Sequence, residues 1–511
     1  MSKPKRQNQI LFNMLASVAS FAISICISLF ITPIIVAKLG SEAYGFVSLA
    51  NNFVSYATLI TVALNSMESR FVSICIYRDD YQGANQYFTS VFFANILIAV
   101  VLAPIMCIAV FNLEKFLDIP AALVSDVKIT FAIVFVQFLL EILTARFEIA
   151  TYVTNRLNLY YINQILASAI RLLIILVGFS IFSVEVVFLV LGSLLARVYV
   201  ASRNVHYTKQ FLPQLKVHRK YFDFGAIKNV AASGVWNLIS KLSSILLDGL
   251  DLLIANIFIG SAEMGALSLS KTIPALFTSL RGTLDYPFTP SMTECYAKGD
   301  INGVVRYARL GNKVLGVFMI APMAVFIIYG RSFFQLWVPS QDATLLEILS
   351  LLSVMSLLAG SCINSIFTIF TIANKVKLNS LVILATGILT TITVFLLLNF
   401  TDIGVYAIAG VSSSFSLLRN YIFTPLYGAY CLGVKKSTFY KEIVTGNVCL
   451  VINCLITFGV MQIITGDSWI TLILGCGISG LISVVINACI VLERTERAAF
   501  IQHIGKKIKR Q

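Results

Sequence analysis

Apolar runs of about 18 to 25 residues recur from one end of this chain to the other, with short polar segments between them. Each is long enough to cross the ~30 Å of hydrocarbon in a bilayer as a helix. The pattern predicts about 14 spans, near 10–36, 46–63, 88–111, 126–143, 160–180, 184–200, 231–258, 264–286, 314–330, 345–369, 380–398, 405–428, 446–464 and 469–491. The first comes after Lys3, Lys5 and Arg6. It is too long for a signal peptide and ends in Val36-Ala37-Lys38 without a small-residue cleavage site, so it reads as a span. An even number of spans places both termini on one side.

The pattern also repeats. Leu39-Gly40-Ser41 with Gly45, Ser48 and Leu49 returns as Ile259-Gly260-Ser261 with Gly265, Ser268 and Leu269, and Cys75, Asp80, Gly83 and Tyr87 return as Cys295, Asp300, Gly303 and Tyr307. Ala103-Pro104 is echoed by Ala321-Pro322. So long a period means two copies of one large unit rather than a short-repeat solenoid. Six spans separate equivalent points, which gives the copies the same orientation and points to transport. The implied division is an N-terminal six-helix lobe (1–200), a basic cytoplasmic linker (201–230), a second six-helix lobe (231–430), and an extra helix pair with a basic tail (431–511).

Polar residues inside the spans are the candidate chemistry, since charge at bilayer depth costs at least ~2.5–3.5 kcal/mol per residue. In span 7, Asn237, Lys241, Ser244, Asp248 and Asp251 succeed one another at steps of four and three, which predicts a single helix face. Span 8 carries Ser268, Lys271, Thr278, Arg281 and Asp285, with Pro274 among them. Lys271 with Asp248 or Asp251 reads equally well as a structural ion pair. Lys241 has no acid nearby on its own face and is expected to line a cavity. The first copy answers with neutral groups: Ser17, Ser20, Ser24 and Ser28 in span 1, Asn51 where span 8 has Lys271, and Asn65 where it has Asp285. Arg171 in span 5 and Arg419 in span 12 are further candidates. Arg197 reads as snorkelling to the headgroups, and Glu141 as a partner of Arg146. Asp248, Asp251 and Asp285 are expected to act as ion-pair switches or proton sites.

Charge settles the orientation. Roughly 28 of the 38 Lys and Arg lie before span 1, after even-numbered spans and in the tail, which the positive-inside rule makes cytoplasmic. That asymmetry accounts for most of the net charge of +14. It makes nucleic acid an unneeded partner and places the tail Lys506-Lys507-Ile508-Lys509-Arg510 against anionic lipid. Hydrophobic residues are 58% and charged residues 12% of the chain, too little charge to solvate a soluble fold of this size. The ten cysteines form no CxxC and read as apolar packing residues, so no disulfide or metal site is expected. No GxxxxGK[ST] occurs, no loop is long enough for a soluble domain, and the three histidines (His206, His218, His503) all fall on the cytoplasmic side. No cofactor and no catalytic residue is therefore expected.

Leu39-Gly40 followed by Tyr44-Gly45, Arg70, Phe333 to Trp337, and Asn374-Lys375-Val376-Lys377 resemble the Wzx-type flippases. These belong to the polysaccharide-transport branch of the multidrug/oligosaccharidyl-lipid/polysaccharide exporter superfamily. The resemblance covers spans 1–12. It implies an all-α polytopic fold of two V-shaped six-helix lobes around a cationic cavity, in a bacterial inner membrane. It implies as substrate an oligosaccharide on undecaprenyl pyrophosphate, such as an O-antigen or lipopolysaccharide repeat unit, moved from the cytoplasmic to the outer leaflet. Polysaccharide polymerase machinery is then a partner. Lys241, Lys271, Arg281, Arg171, Arg419 and Asn237 are the expected substrate-binding set, chosen from the intramembrane pattern. The rivals are a multidrug cation antiporter of the related branch, which calls for unpaired acids in the first lobe where spans 1 and 2 offer none, and an enzyme acting on the same lipid-linked glycan.

Overall fold

The computed structural model is described over residues 3–493 apart from positions 155, 183, 286 and 287, and without the side chains of residues 3–21 and of positions 24, 157, 283, 290, 297 and 359. The basic tail with His503, and the side chains of Ser17, Ser20 and Ser24, lie outside the described residues. Every expected span is helical, as it must be where lipid offers no partner to backbone groups. The protein is an all-α, multi-pass membrane protein.

The helices are α1 (Lys3–Tyr77), α2 (Tyr81–Phe111), α3 (Val124–Thr144), α4 (Ile149–Val153), α5 (Leu157–Ile181), α6 (Val187–Phe211), α7 (Phe224–Ser244), α8 (Asp251–Phe258), α9 (Ser261–Ser270), α10 (Thr272–Asp285), α11 (Thr289–Ala297), α12 (Ile301–Trp337), α13 (Ala343–Ser361), α14 (Asn364–Ile372), α15 (Val376–Phe400), α16 (Val405–Tyr421), α17 (Phe423–Leu432), α18 (Tyr440–Met461) and α19 (Trp469–Val491). Among the described residues, ten helical stretches are long and apolar enough to cross a membrane. One of these, α1, holds two expected spans, divided at Gly40, whose φ of 84° lies outside the helical region. The expected spans 264–286, 345–369 and 405–428 are broken helices, α9–α10, α13–α14 and α16–α17.

The sequence repeat is also a backbone repeat. Gly40 and Gly260 both have positive φ, 84° and 149°, at the turn each copy shares. Asp79 (57°) and Gly299 (73°) do so again just ahead of α2 and α12. The next residue caps each helix: the Gly83 N–H donates to Asp80 Oδ1 at 2.9 Å, and the Gly303 N–H to Asp300 Oδ1 at 2.8 Å.

By its contacts the chain forms two compact units, 1–268 and 269–511. In the first, α7 lies along α1, so closely that a Cβ on Gly234 would sit 1.8 Å from the Ala63 carbonyl oxygen. In the same unit the repeated motif meets itself. A Cβ on Gly45 falls 3.0 Å from Gly265 Cα, and Ser268 Oγ donates to Ser48 Oγ at 2.7 Å. In the second unit α12 is the central helix, and α18 and α19 pack on it and on each other. Asn453 Nδ2 donates to Asn487 Oδ1 (3.0 Å), Asn487 Nδ2 to the Val317 carbonyl (3.2 Å), and the Tyr329 hydroxyl to the Ile464 carbonyl (2.8 Å).

Candidate functional site: interrupted helices and buried charge

In the first unit the stripe expected on span 7 does not stay on one face. Residues Ile245–Gly249 form a π-helical turn between α7 and α8. Such a turn holds an extra residue, so the residues beyond it are rotated relative to an α-helical register. Lys241 is half-buried and Asn237 exposed ahead of it; Asp248 within it is exposed, while Asp251 beyond it is buried, 6% accessible. The turn frees the Gly249 carbonyl, which accepts from Tyr56 Oη at 2.7 Å and Asn52 Nδ2 at 3.2 Å. Asn237 Nδ2 donates to Ser66 Oγ at 3.0 Å. Among the described residues Lys241 forms no ion pair, and neither does Arg171, whose Nε is buried without an acceptor. The first unit therefore holds two membrane-embedded cations without carboxylate partners among the described residues.

A second group in this unit was missed in the sequence. Glu68 on α1 is buried (4%) and pairs with the buried Arg146 at 3.5 Å, in place of the expected Glu141–Arg146 pair. Arg146 also donates to the Phe88 carbonyl (3.3 Å) and lies 5.0 Å from the centre of the Phe92 ring. Glu141 instead pairs with Arg197 at 3.5 Å, and Glu148 with the same guanidinium at 3.6 Å. Arg197 is thus an ion-pair hub rather than a snorkelling residue. Asn95 Nδ2 bridges Asn65 Oδ1 (2.7 Å) and the Ile142 carbonyl (3.3 Å). A cavity of about 340 Å³ adjoins this group, lined in part by Asn65, Glu68, Ser69, Arg146, Glu148 and Tyr152. The spacing of Asn65, Glu68 and Ser69, one helix face, was the available signal.

In the second unit Lys271 stands at the break between α9 and α10 and is half-buried. Pro274 has no N–H for the Ser270 carbonyl four residues earlier, and Ser350 Oγ takes that carbonyl at 2.6 Å. Arg281 and Asp285, one turn apart, interact electrostatically. The buried Asp285 carboxylate accepts from Asn364 Nδ2 at 2.7 Å and from Ser365 Oγ, both at the start of α14 where the expected span is broken. The Ser365 N–H donates to Asn312 Oδ1 at 3.0 Å. A carboxylate at a helix N-terminus is favoured by the helix dipole. A Cβ on Gly360 would lie 2.7 Å from Arg281 Nη1 and 3.8 Å from Asn420 Nδ2, and Asn420 Oδ1 accepts from Arg419 Nη2 at 3.3 Å. Arg281, Asp285 and Arg419 therefore share one neighbourhood, held by breaks in two helices. Discontinuous helices with charged groups at the breaks are how membrane transporters build binding sites. No cluster of three or more His, Cys, Asp or Glu side chains able to hold a metal ion occurs among the described residues.

This fold is shared with membrane proteins of known structure. The fold matches the lipid II flippase MurJ in an inward closed conformation (TM-score 0.66, 13% identity, 94% of this chain and 98% of that one). It also matches an inward-facing multidrug resistance MATE family transporter (TM-score 0.63, 12% identity, 81% and 94%). No protein-family model matches the chain. The chain is 30% identical over 466 residues to the Bacillus subtilis (strain 168) protein described as uncharacterized membrane protein EpsK, covering 90% of this chain and 91% of that protein, and it belongs to the EpsK family.

Proposed function

We propose that this protein is a flippase that moves a polyprenyl-pyrophosphate-linked oligosaccharide from the cytoplasmic to the outer leaflet of a bacterial cell membrane by alternating access. Both termini are cytoplasmic on this reading, and undecaprenyl pyrophosphate is the lipid carrier. The observation that carries it is the presence of membrane-embedded cations, Lys241 and Arg171 without carboxylate partners among the described residues, in a fold that covers nearly all of a lipid II flippase. A pyrophosphate supplies the missing anionic partner, and a guanidinium binds phosphate oxygens in a bidentate manner. Lys271, Arg281 and Arg419 are the further contacts, Asn237 a neutral one, and Asp248, Asp251 and Asp285 the groups that exchange ion pairs during the cycle. Undecaprenyl-linked glycan, anionic lipids and a polysaccharide polymerase are the proposed partners.

The test is complementation of a strain lacking its own flippase, supplied with this gene and its matching glycan-synthesis genes. Lys241→Ala, at equal membrane level, is expected to lower surface glycan about tenfold, equivalent to about 1.4 kcal/mol of lost interaction, while the lipid-linked repeat accumulates on the cytoplasmic side. Normal export by the variant removes Lys241 from the site.

One observation favours a second reading, a multidrug cation antiporter. Glu68 is a buried first-unit acid beside a cavity, and release from Arg146 would leave it the unpaired acid that such a carrier calls for. Failure of the wild type in complementation, together with dye-cation efflux abolished by Glu68→Gln, is the result that selects it.

A further inference from the structure

A second concavity in the first unit, about 830 Å³, is distinct from the charged groups of the candidate site. It lies where the first turns of α2 face the segment 213–221. Three buried side chains of α2 fasten that segment in place. Asn85 Oδ1 accepts from the Lys216 N–H at 2.7 Å and Asn85 Nδ2 donates to the Gln214 carbonyl at 3.1 Å. Thr89 Oγ1 donates to the Lys216 carbonyl at 3.2 Å, and Ser90 Oγ accepts from the Asp223 N–H at 2.8 Å. The wall is therefore a built surface rather than a loose loop.

The lining has a definite chemistry. Tyr81, Gln82 and Gln86 face Gln214, Lys220 and Tyr221, and no carboxylate among the described residues lines the cleft. Among the described residues the side-chain amides of Gln82, Gln86 and Gln214 hydrogen-bond to no protein group. Lys220 Nζ sits 4.8 Å from the centre of the Tyr221 ring, presenting an ammonium and an aromatic face together. Amides both donate to and accept from hydroxyls, aromatic faces pack on the apolar face of a sugar ring, and ammonium groups take phosphate or carboxylate. Phe222 and Phe224, 46% and 71% exposed, flank the cleft beside Arg219 and Lys220, the aromatic and basic mixture of a membrane interface. A phospholipid headgroup needs only the lysines; the tyrosines and three amides suit a hydroxyl-rich ring. The repeat supplies an internal control. At the positions of Tyr81, Asn85, Gln86 and Thr89 the second copy has Ile301, Val305, Arg306 and Arg309, although both helices keep the same cap.

We propose that this cleft is a binding site for a phosphorylated or acidic sugar at headgroup depth. That the sugar belongs to the transported lipid-linked glycan rests on the flippase reading; that the cleft binds a sugar phosphate does not. The experiment uses the full chain in phosphatidylcholine nanodiscs, titrated with glucose 1-phosphate, galactose 1-phosphate, N-acetylglucosamine 1-phosphate and glucuronic acid by ligand-observed NMR. Saturable binding of at least one is expected, tighter than that of inorganic phosphate. Kd should rise about tenfold in both Gln82→Ala and Lys220→Gln. Absence of saturable binding by all four overturns the site. So does dioctanoyl phosphatidylglycerol or inorganic phosphate binding as tightly and indifferent to Gln82→Ala, which makes the cleft an anionic-lipid patch. Sugar-phosphate binding by a protein that fails complementation keeps the cleft and removes the flippase; glycan export without binding does the reverse.

Discussion

Helices α2 and α12 begin alike and end up in different surroundings. Each starts from an aspartate cap on a glycine three residues on, and each carries an internal proline, Pro104 in α2 and Pro322 in α12, two residues out of the repeat register. Yet 72% of the most apolar stretch of α12 is buried in the protein, against 28% of that of α2. The difference is α18 and α19, which cover α12. Composition follows the cover. On α12, Arg309 pairs with the buried Glu442 at 2.7 Å and the buried Lys313 with Glu493 at 3.4 Å. The residues 220 positions earlier are Thr89 and Phe93, and the outer face of α2 runs through Leu97, Val100, Val101, Ile105 and Ile108, all more than half exposed. The repeat conserves backbone geometry, while the neighbour decides which side chains are tolerated.

Four changes test this difference between α2 and α12. The largest effect is expected from ending the chain at Gly433, which removes both covering helices and leaves Arg309 and Lys313 facing lipid. Recovery of monodisperse protein in detergent should fall at least about tenfold, as loss of a buried ion's partner alone costs about 3–5 kcal/mol. Undiminished recovery means α12 needs no cover. Next, Glu442→Ala leaves one guanidinium without its acid and should destabilise by about 3 kcal/mol in thermal unfolding. Adding Arg309→Leu should restore most of it, since an apolar pair replaces an ion pair at little cost. No recovery in the double variant shows that packing, not charge, is at stake. Leu97→Lys puts on α2 the residue type α12 keeps at 313. At about 2.5–3.5 kcal/mol for a lysine in hydrocarbon, it should lower the inserted fraction in a glycosylation-mapping assay, and wild-type insertion counts against a lipid-facing α2. The smallest effect, about 1 kcal/mol each, is expected for Asp80→Ala and Asp300→Ala. Equal losses in the two caps are the signature of a shared backbone; a loss in only one denies it.

Much of this was legible in the sequence, for a physical reason. Lipid satisfies no backbone hydrogen bond, so an apolar run of sufficient length has one structural outcome, and all the expected spans are helical. The break at Lys271 was foreshadowed by Pro274, whose missing N–H strands the Ser270 carbonyl. The π-turn at 245–249 was not, because no proline announces it and its carbonyl is satisfied by Asn52 and Tyr56 nearly 200 residues away. Glu68 was passed over because it lies just past an apolar run and reads as loop. Its pairing with Arg146 depends on packing between helices, whereas Glu141 lies five residues from Arg146, a separation that does not put two helical residues on one face.

The contact between Ser48 and Ser268 carries a consequence for where the two copies came from. Where a residue meets its own counterpart about a local two-fold, each side chain must fit its own image. Homodimer interfaces obey this rule in every isologous contact. Glycine at 45 and 265 and serine at 48 and 268 satisfy it: small, and in the case of serine able to donate and accept with an identical partner. This patch of the chain still meets the requirement that two separate, identical chains face when they pair, and duplication and fusion of one gene would have carried it through unchanged.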